Sequence, residues 1–328
     1  MAIEFLNLSK RDQQDVFNEI FRQKNLHPIA IEKDWWVTQI LHQVFELDMA
    51  DALVFKGGTS LSKGWGLIQR LSEDIDLALD RRYLGFEGSM GKNQVDKLRR
   101  VSNKFIREVF YPRLQQSLME SGFEMVTFNF PESSQSDKDP QVIEIYYPSV
   151  IKQPVTYIQP RILIEIGSRS LFEPFTPMPI QSLVAEYFPG KPFAESAKAI
   201  PCVNVERTFL EKLFLLHEEF QKPKQKIRSH RLSRHLYDIE RILETAYADQ
   251  AISDQDLYVA IVQHRRVLTR INGLDYTKHA PKYLNPIPPD SILKSWEEDY
   301  KIMQEQMIYG DSLPFDQLLS KLKNLKEK

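Results

Sequence analysis

Phe55-Lys56-Gly57-Gly58-Thr59-Ser60-Leu61-Ser62-Lys63-Gly64-Trp65-Gly66-Leu67-Ile68-Gln69-Arg70-Leu71-Ser72-Glu73-Asp74-Ile75-Asp76-Leu77-Ala78-Leu79 is the stretch whose reading decides the fold. A Gly-Gly-Thr-Ser turn is followed by two aspartates, Asp74 and Asp76, on alternate positions of an apolar run. Alternation in a strand sends residues i and i+2 to one face, so both carboxylates leave together, about 7 Å apart along the backbone. Two hard anionic groups at that spacing suit Mg²⁺, which binds through one or two carboxylates plus substrate phosphates. Gly57 and Gly58 let the backbone approach a phosphate, and successive N–H groups ahead of a helix form a concave anion site. Thr59 and Ser60 add hydroxyl donors. Lys63 either reaches the phosphates or is a solvated helix lysine. The turn fits neither Gly-x-x-x-x-Gly-Lys-Ser/Thr nor Gly-x-Gly-x-x-Gly. The pattern points to metal-assisted transfer from a nucleotide.

Outward from this stretch, Leu53–Phe55 reads as a short buried strand and Leu71–Leu79 as the next. Helices are expected over 8–24, 31–45 and 93–121, the last containing Pro112. Phe123–Phe130, Val142–Tyr147 and Arg161–Gly167 alternate as strands, with Pro131–Pro140 as a connection. From Val205 the pattern is helical, over about 205–220, 229–247, 254–268, 290–308 and 314–326. Strands first and helices later predict an α+β chain: a mixed-sheet catalytic domain over 1–200 with N-terminal helices, then a helical domain over 201–328 that completes the nucleotide cleft. The Pro-containing region 170–204 holds the boundary.

Length, 328 residues, allows a sizeable core in two domains. With 43 Lys and Arg against 45 Asp and Glu, nothing draws the whole chain to nucleic acid, so any such contact needs a local patch. The single cysteine, Cys202, excludes a disulfide or cysteine-rich zinc site within the chain. No apolar run approaches a membrane span and no signal pattern opens the sequence, so no membrane partner and a cytoplasmic location are expected.

A third acid would complete a two-metal site of the kind that activates a hydroxyl and stabilises a leaving phosphate. Glu165, inside Ile162-Leu163-Ile164-Glu165-Ile166, is the first candidate, because a charge in an apolar strand needs a partner or a metal. Its alternative is an ion pair with Arg161 or Arg169, and Glu144 is the rival third acid. Lys212 shares the apolar stripe of Phe209, Leu213 and Leu216, where a lysine commonly snorkels. Arg234 and Asp238 stand four apart on a helix, as in an ordinary surface ion pair. Between Lys212 and Asp238, Lys222, Lys224, Lys226, Arg228, Arg231 and Arg234 form a run of six basic residues with no acid. The run is either a solvated loop or an RNA contact made through phosphates.

Taken together, these segments resemble the DNA polymerase-β-like nucleotidyltransferases, and within them the AbiEii/AbiGii toxin family, which includes the MenT toxins. The resemblance is carried by Glu32-Lys33-Asp34-Trp35-Trp36, by Lys56–Leu61 through Arg70–Leu77, by Arg207–Leu213 with Lys212, and by Arg234-His235-Leu236-Tyr237-Asp238-Ile239. Fifteen residues separate Gly58 from Asp74, a longer gap than in many members of the superfamily, and one the AbiEii-like subgroup tolerates. The resemblance implies that Asp74, Asp76 and Glu165 hold two Mg²⁺ and that Lys212 serves in catalysis by holding the triphosphate. It implies that Gly57, Gly58, Thr59, Ser60, Lys63, Ser72, Arg234 and Asp238 surround an NTP, with Asp238 orienting Lys212 or the nucleotide. It further implies a tRNA 3′ end as acceptor and a toxin neutralised by a cognate antitoxin. Transfer to a protein or small-molecule hydroxyl, or nucleotide binding without catalysis, are the alternatives.

Overall fold

The structure is a computed structural model that describes residues 2–24, 26–131, 138–152, 158–168, 174–269, 271 and 273–325. The chain forms two compact units, Met1–Trp65 with Leu71–Val203, and Gly66–Arg70 with Asn204–Lys328. The five residues Gly66–Arg70, read from sequence as part of the first domain, belong to the second.

The first unit opens with α1 (Ala2–Leu6), α2 (Lys10–Lys24) and α3 (Pro28–Val44), followed by β1 (Leu53–Lys56), α4 (Gly57–Lys63) and β2 (Asp74–Leu79). Next come α5 (Lys92–Phe105), a π-helical turn at Ile106–Phe110, α6 (Tyr111–Glu120), β3 (Thr127–Asn129), β4 (Gln141–Tyr146) and β5 (Arg161–Gly167). β6 (Phe175–Ile180), α7 (Leu183–Tyr187) and β7 (Lys198–Val203) close the unit. Pro112 falls in the first turn of α6, directly after the π turn. A local widening of the helix there accommodates a residue with no N–H and keeps the 92–120 run helical.

The seven strands lie in one sheet in the order β3-β4-β5-β2-β1-β7-β6. β2–β5 and β1–β7 are parallel, and the other neighbours are antiparallel, so the sheet is mixed. The sequence reading missed β6 and β7, which occupy the region taken as a boundary. Pro177 and Pro179 sit in β6, the last strand, where a missing N–H costs no ladder bond to a further neighbour. Ile162, Ile164 and Ile166 are fully buried, each contributing about 1.5–3 kcal/mol. Their alternation sends Arg161, Leu163, Glu165 and Gly167 to the opposite face. Phe5, Phe17, Trp35, Trp36, Phe123 and Tyr147 make an aromatic cluster around α3.

The second unit holds α8 (Val205–Phe220), α9 (Arg234–Leu243), α10 (Ala246–Ser253), α11 (Gln255–His264), α12 (Leu293–Gln306) and α13 (Phe315–Asn324). The expected 229–247 helix is shorter, and a break at Glu244–Thr245 starts α10. No helix among the described residues is long and apolar enough to cross a membrane.

Candidate functional site

In the first unit, strand register decides which acids meet. Asp76 stands directly opposite Glu165 across the parallel β2–β5 pair, and opposite Lys56 across the antiparallel β1–β2 pair. Asp74 is one row away, opposite Leu163. Glu144 also stands opposite Leu163, two strand spacings from Asp74, or roughly 10 Å. Glu144 is otherwise engaged: Tyr146 Oη donates to it at 2.6 Å, Asn129 Nδ2 at 3.0 Å and Arg161 Nη1 at 2.8 Å. Those hydrogen bonds, with the Arg161 charge, hold its carboxyl below the usual range. Arg161, a partner considered for Glu165, thus pairs with Glu144, while Arg169 lies outside the described residues. Of the two acids, Glu165 is the one that stands directly opposite Asp76.

Asp76 and Glu165 line a cavity of about 90 Å³ with Lys56, Leu77, Asp139, Pro140 and Gly167. Two glycines shape it. Gly57 has φ +81°, and a Cβ there would lie 1.9 Å from Asp76 Oδ2. A Cβ on Gly167 would lie 2.3 Å from Asp139 Oδ1. Both carboxylates therefore occupy room that only glycine leaves. Asp139, 8% exposed, was read from sequence as part of a loop. No local pattern marks it, because its place depends on how the strand after it aligns with β5. Residues 132–137 of that connection lie outside the described residues.

The donor set suits a hard divalent cation, since it consists of carboxylates with no sulfur or imidazole. Among the described residues, however, no three His, Cys, Asp or Glu side chains form a group that could hold a metal ion. Asp76 and Glu165 stand side by side, with Asp74 one row away on the same strand face. Such a pair still meets the needs of Mg²⁺, which takes one or two carboxylates and completes its shell with phosphates and water.

The glycine turn differs from its reading in detail. α4 begins at Gly57 with Lys56 as its N-cap, so Thr59 and Ser60 lie inside the helix and not in a turn ahead of it. Thr59 is 1% exposed and donates to the Asp74 carbonyl at 2.6 Å while sitting 2.9 Å from Ser72 Oγ. It fixes the start of β2 and presents no hydroxyl to a ligand. Ser60 is buried near Cys202, whose thiol burial pushes up to about 11. Lys63 pairs with Asp34 at 2.5 Å, and Asp34 also accepts from the Leu183 N–H. The hydroxyl of Thr59 and the ammonium of Lys63 are thus structural, and the Ser60 hydroxyl is buried. Gly57, Gly58 and Ser72 remain partly exposed.

The Glu32-Lys33-Asp34 segment brackets the same unit. Glu32 accepts from the Val150 N–H at 2.7 Å and from the Ser149 hydroxyl at 2.6 Å. Lys33 donates to Glu73 at 2.6 Å, both buried, and Glu73 adjoins Asp74. These residues hold backbone and strand in place.

The second unit contains the other candidate cluster. Asp238 is fully buried, and Arg70 Nε and Nη2 donate to its two oxygens at 2.7 Å each. Lys212 Nζ lies 2.8 Å from Asp238 Oδ2 and 3.4 Å from His235 Nδ1. Burial alone would raise the Asp238 carboxyl, but the Arg70 and Lys212 charges outweigh it and hold it far below the usual range. One anion shared by two cations compensates each incompletely, and burial lowers the Lys212 ammonium despite Asp238. Burial, followed by the Lys212 charge, keeps His235 neutral at pH 7. Asp238 is thus fully buried between Arg70 and Lys212 and pairs with both. Arg70 and His235 were not singled out from sequence. The bidentate partner of Arg70 lies 168 positions away. Arg234 is half-buried on the same helix.

The basic run is held in place. Lys222 and Arg228 pair with the buried Glu219 at 2.5 and 2.8 Å. Arg231, at φ 60°, donates its backbone N–H to Asp299 at 2.6 Å. Lys222 and Arg228 are held by Glu219, with Arg228 still exposed, while Lys224 and Lys226 are exposed on a 3₁₀ turn.

A mixed sheet with paired acids beside a glycine turn is the architecture of a nucleotidyl-transferring enzyme. The model of the family described as nucleotidyl transferase AbiEii toxin, type IV toxin–antitoxin system, matches residues 39–321, and the chain belongs to that family. It is a nucleotidyltransferase toxin, and membership implies a nucleotide substrate and an antitoxin partner. The Glu32–Trp36 segment lies ahead of the matched range. Among solved structures, the chain is similar to the nucleotidyltransferase toxin MenT4 from Mycobacterium tuberculosis, at 14% identity over 97% of this chain and 99% of that one, TM-score 0.48. It is also similar to JHP933 from Helicobacter pylori, at 12% identity over 92% of this chain and 90% of that one, TM-score 0.40. A comparison with curated protein sequences finds no match.

Proposed function

We propose that this toxin transfers a nucleoside monophosphate from an NTP to the 3′ hydroxyl of a tRNA in the cytoplasm, with Mg²⁺. The observation that carries the reading is the apposition of Asp76 and Glu165 beside Gly57. A bound divalent cation would supply Lewis acidity to the phosphates and to the acceptor hydroxyl. Asp76 and Glu165 would hold that ion, with Asp74 on the neighbouring row of the same face. The described geometry supports one ion more directly than two. Gly57 and Gly58 would let backbone N–H groups approach the phosphates, with Ser72 beside them. Lys212 would neutralise phosphate charge as pyrophosphate departs, with Arg234 adding to the positive potential. Lys224 and Lys226 would contribute sequence-independent RNA contacts.

The test is to incubate the protein with each α-labelled NTP, Mg²⁺ and total RNA, beside Asp76→Ala. Label in a tRNA-sized band from wild type alone supports the reading. Label on protein moves the acceptor to a protein hydroxyl. Nucleotide affinity without Mg²⁺-dependent transfer refutes catalysis.

A further inference from the structure

Two cations share one buried carboxylate in the second unit. Arg70 forks onto both oxygens of Asp238, and Lys212 takes Oδ2 as well. We propose that Arg70 is a positioning residue, which fixes the Asp238 carboxylate and through it turns the Lys212 ammonium toward the phosphates of a nucleotide. The inference rests on the phosphate-binding reading of Lys212 given above, and it adds a residue and a mechanism of orientation to that reading.

A carboxylate held by one oxygen can swing about its Cβ–Cγ bond. A planar guanidinium that engages both oxygens removes that freedom, which a lysine in its place cannot do. An ammonium has three donors. Asp238 at 2.8 Å and the neutral His235 imidazole at 3.4 Å receive two of the directions from Lys212, which leaves a third for a substrate oxygen. Charge points the same way. Arg70, Lys212 and Asp238 sum to one surplus positive charge, with every side chain less than a tenth exposed. Arg234 adds positive charge nearby. Buried surplus charge is costly until an opposite charge joins it, and a phosphate oxyanion offers both the charge and the acceptor.

The experiment compares wild type, Arg70→Lys, Lys212→Ala and the double variant. The readouts are KM and kcat for the NTP, and the rise in melting temperature on adding inorganic pyrophosphate. Arg70→Lys keeps a cation beside the carboxylate and loses only the fork. It is expected to raise KM and weaken the pyrophosphate response about tenfold, with a smaller effect on kcat. In the Lys212→Ala background it should change neither further, because its effect runs through Lys212. The pair Arg70→Gln with Asp238→Asn removes the fork and the carboxylate together and leaves the Lys212 ammonium without its anion. It serves as a second variant and should show the same loss. Equal losses with and without Lys212, or a folded Arg70→Lys with unchanged KM and pyrophosphate response, would overturn the proposal. A wild type that transfers no nucleotide yet binds pyrophosphate through Lys212 and Arg70 would refute the enzymatic reading and leave this inference standing.

Discussion

Asp76 Oδ2 occupies the space where a Cβ on residue 57 would sit, 1.9 Å from that built atom, so the identity of Gly57 and the position of Asp76 are one geometric fact. The positive φ of +81° makes the same demand on the backbone. Gly57→Ala should therefore do two things. It should cost about 1–3 kcal/mol of stability through the left-handed backbone. It should also lower kcat by about a hundredfold by displacing Asp76. Urea denaturation and steady-state transfer kinetics separate the two. Unchanged kcat would show that Asp76 is not tied to this position.

Glu165 and Glu144 give a direct contrast. Glu165→Gln and Asp76→Asn should each reduce transfer by about a hundredfold or more. Glu144→Gln should leave the rate within about twofold, since the residue sits in a partly exposed set of hydrogen bonds away from Asp76. The same variants can be read without turnover. Mn²⁺ near 100 times its Kd should stabilise wild type by about 2.7 kcal/mol, and Asp76→Asn should abolish most of that gain.

Lys33 and Glu73 form a buried ion pair at the residue next to Asp74. Lys33→Met breaks this buried pair, and a loss of about 3–5 kcal/mol is expected in chemical denaturation. Adding Glu73→Gln should recover part of it, because the charge no longer needs a partner. An additive double variant would show that the two side chains do not act as a pair.

Stability should fall on acidification through His235. Its folded-state pKa lies well below the imidazole value, so the unfolded chain takes up a proton that the folded chain refuses. That contribution is complete above about pH 6.5 and is lost as the pH falls below it. Below about pH 4, Asp238 adds a second loss, because its folded carboxyl resists protonation more than the unfolded one. His235→Gln should flatten the decline in melting temperature between about pH 6.5 and 5. His42 and His217, also lowered by burial, should keep part of the slope.

The alternation of β2 and β5 and the helical run of α8 were legible because each depends on residues adjacent in the chain. Ile162, Ile164 and Ile166 mark one face of a strand whatever strand pairs with it, and the opposite face then carries Glu165. β6 and β7 were not legible, since their prolines read as breakers until one strand is known to be an edge. Thr59, Ser60 and Lys63 read as ligand groups because their types suit a phosphate. In the fold they turn to Asp74, to the Cys202 neighbourhood and to Asp34.

The sequence by itself determined the chemistry available: two acids on one strand face, a glycine turn ahead of them, a lysine on a later helix and the family to which these belong. Only the tertiary structure decided which acid stands beside Asp76, that Asp139 borders the same cavity, and that Asp238 serves two cations. The reason is physical. Local spacing sets the direction in which a side chain leaves the backbone, whereas strand register and helix packing set what it meets, and those are fixed by contacts between residues far apart in the chain.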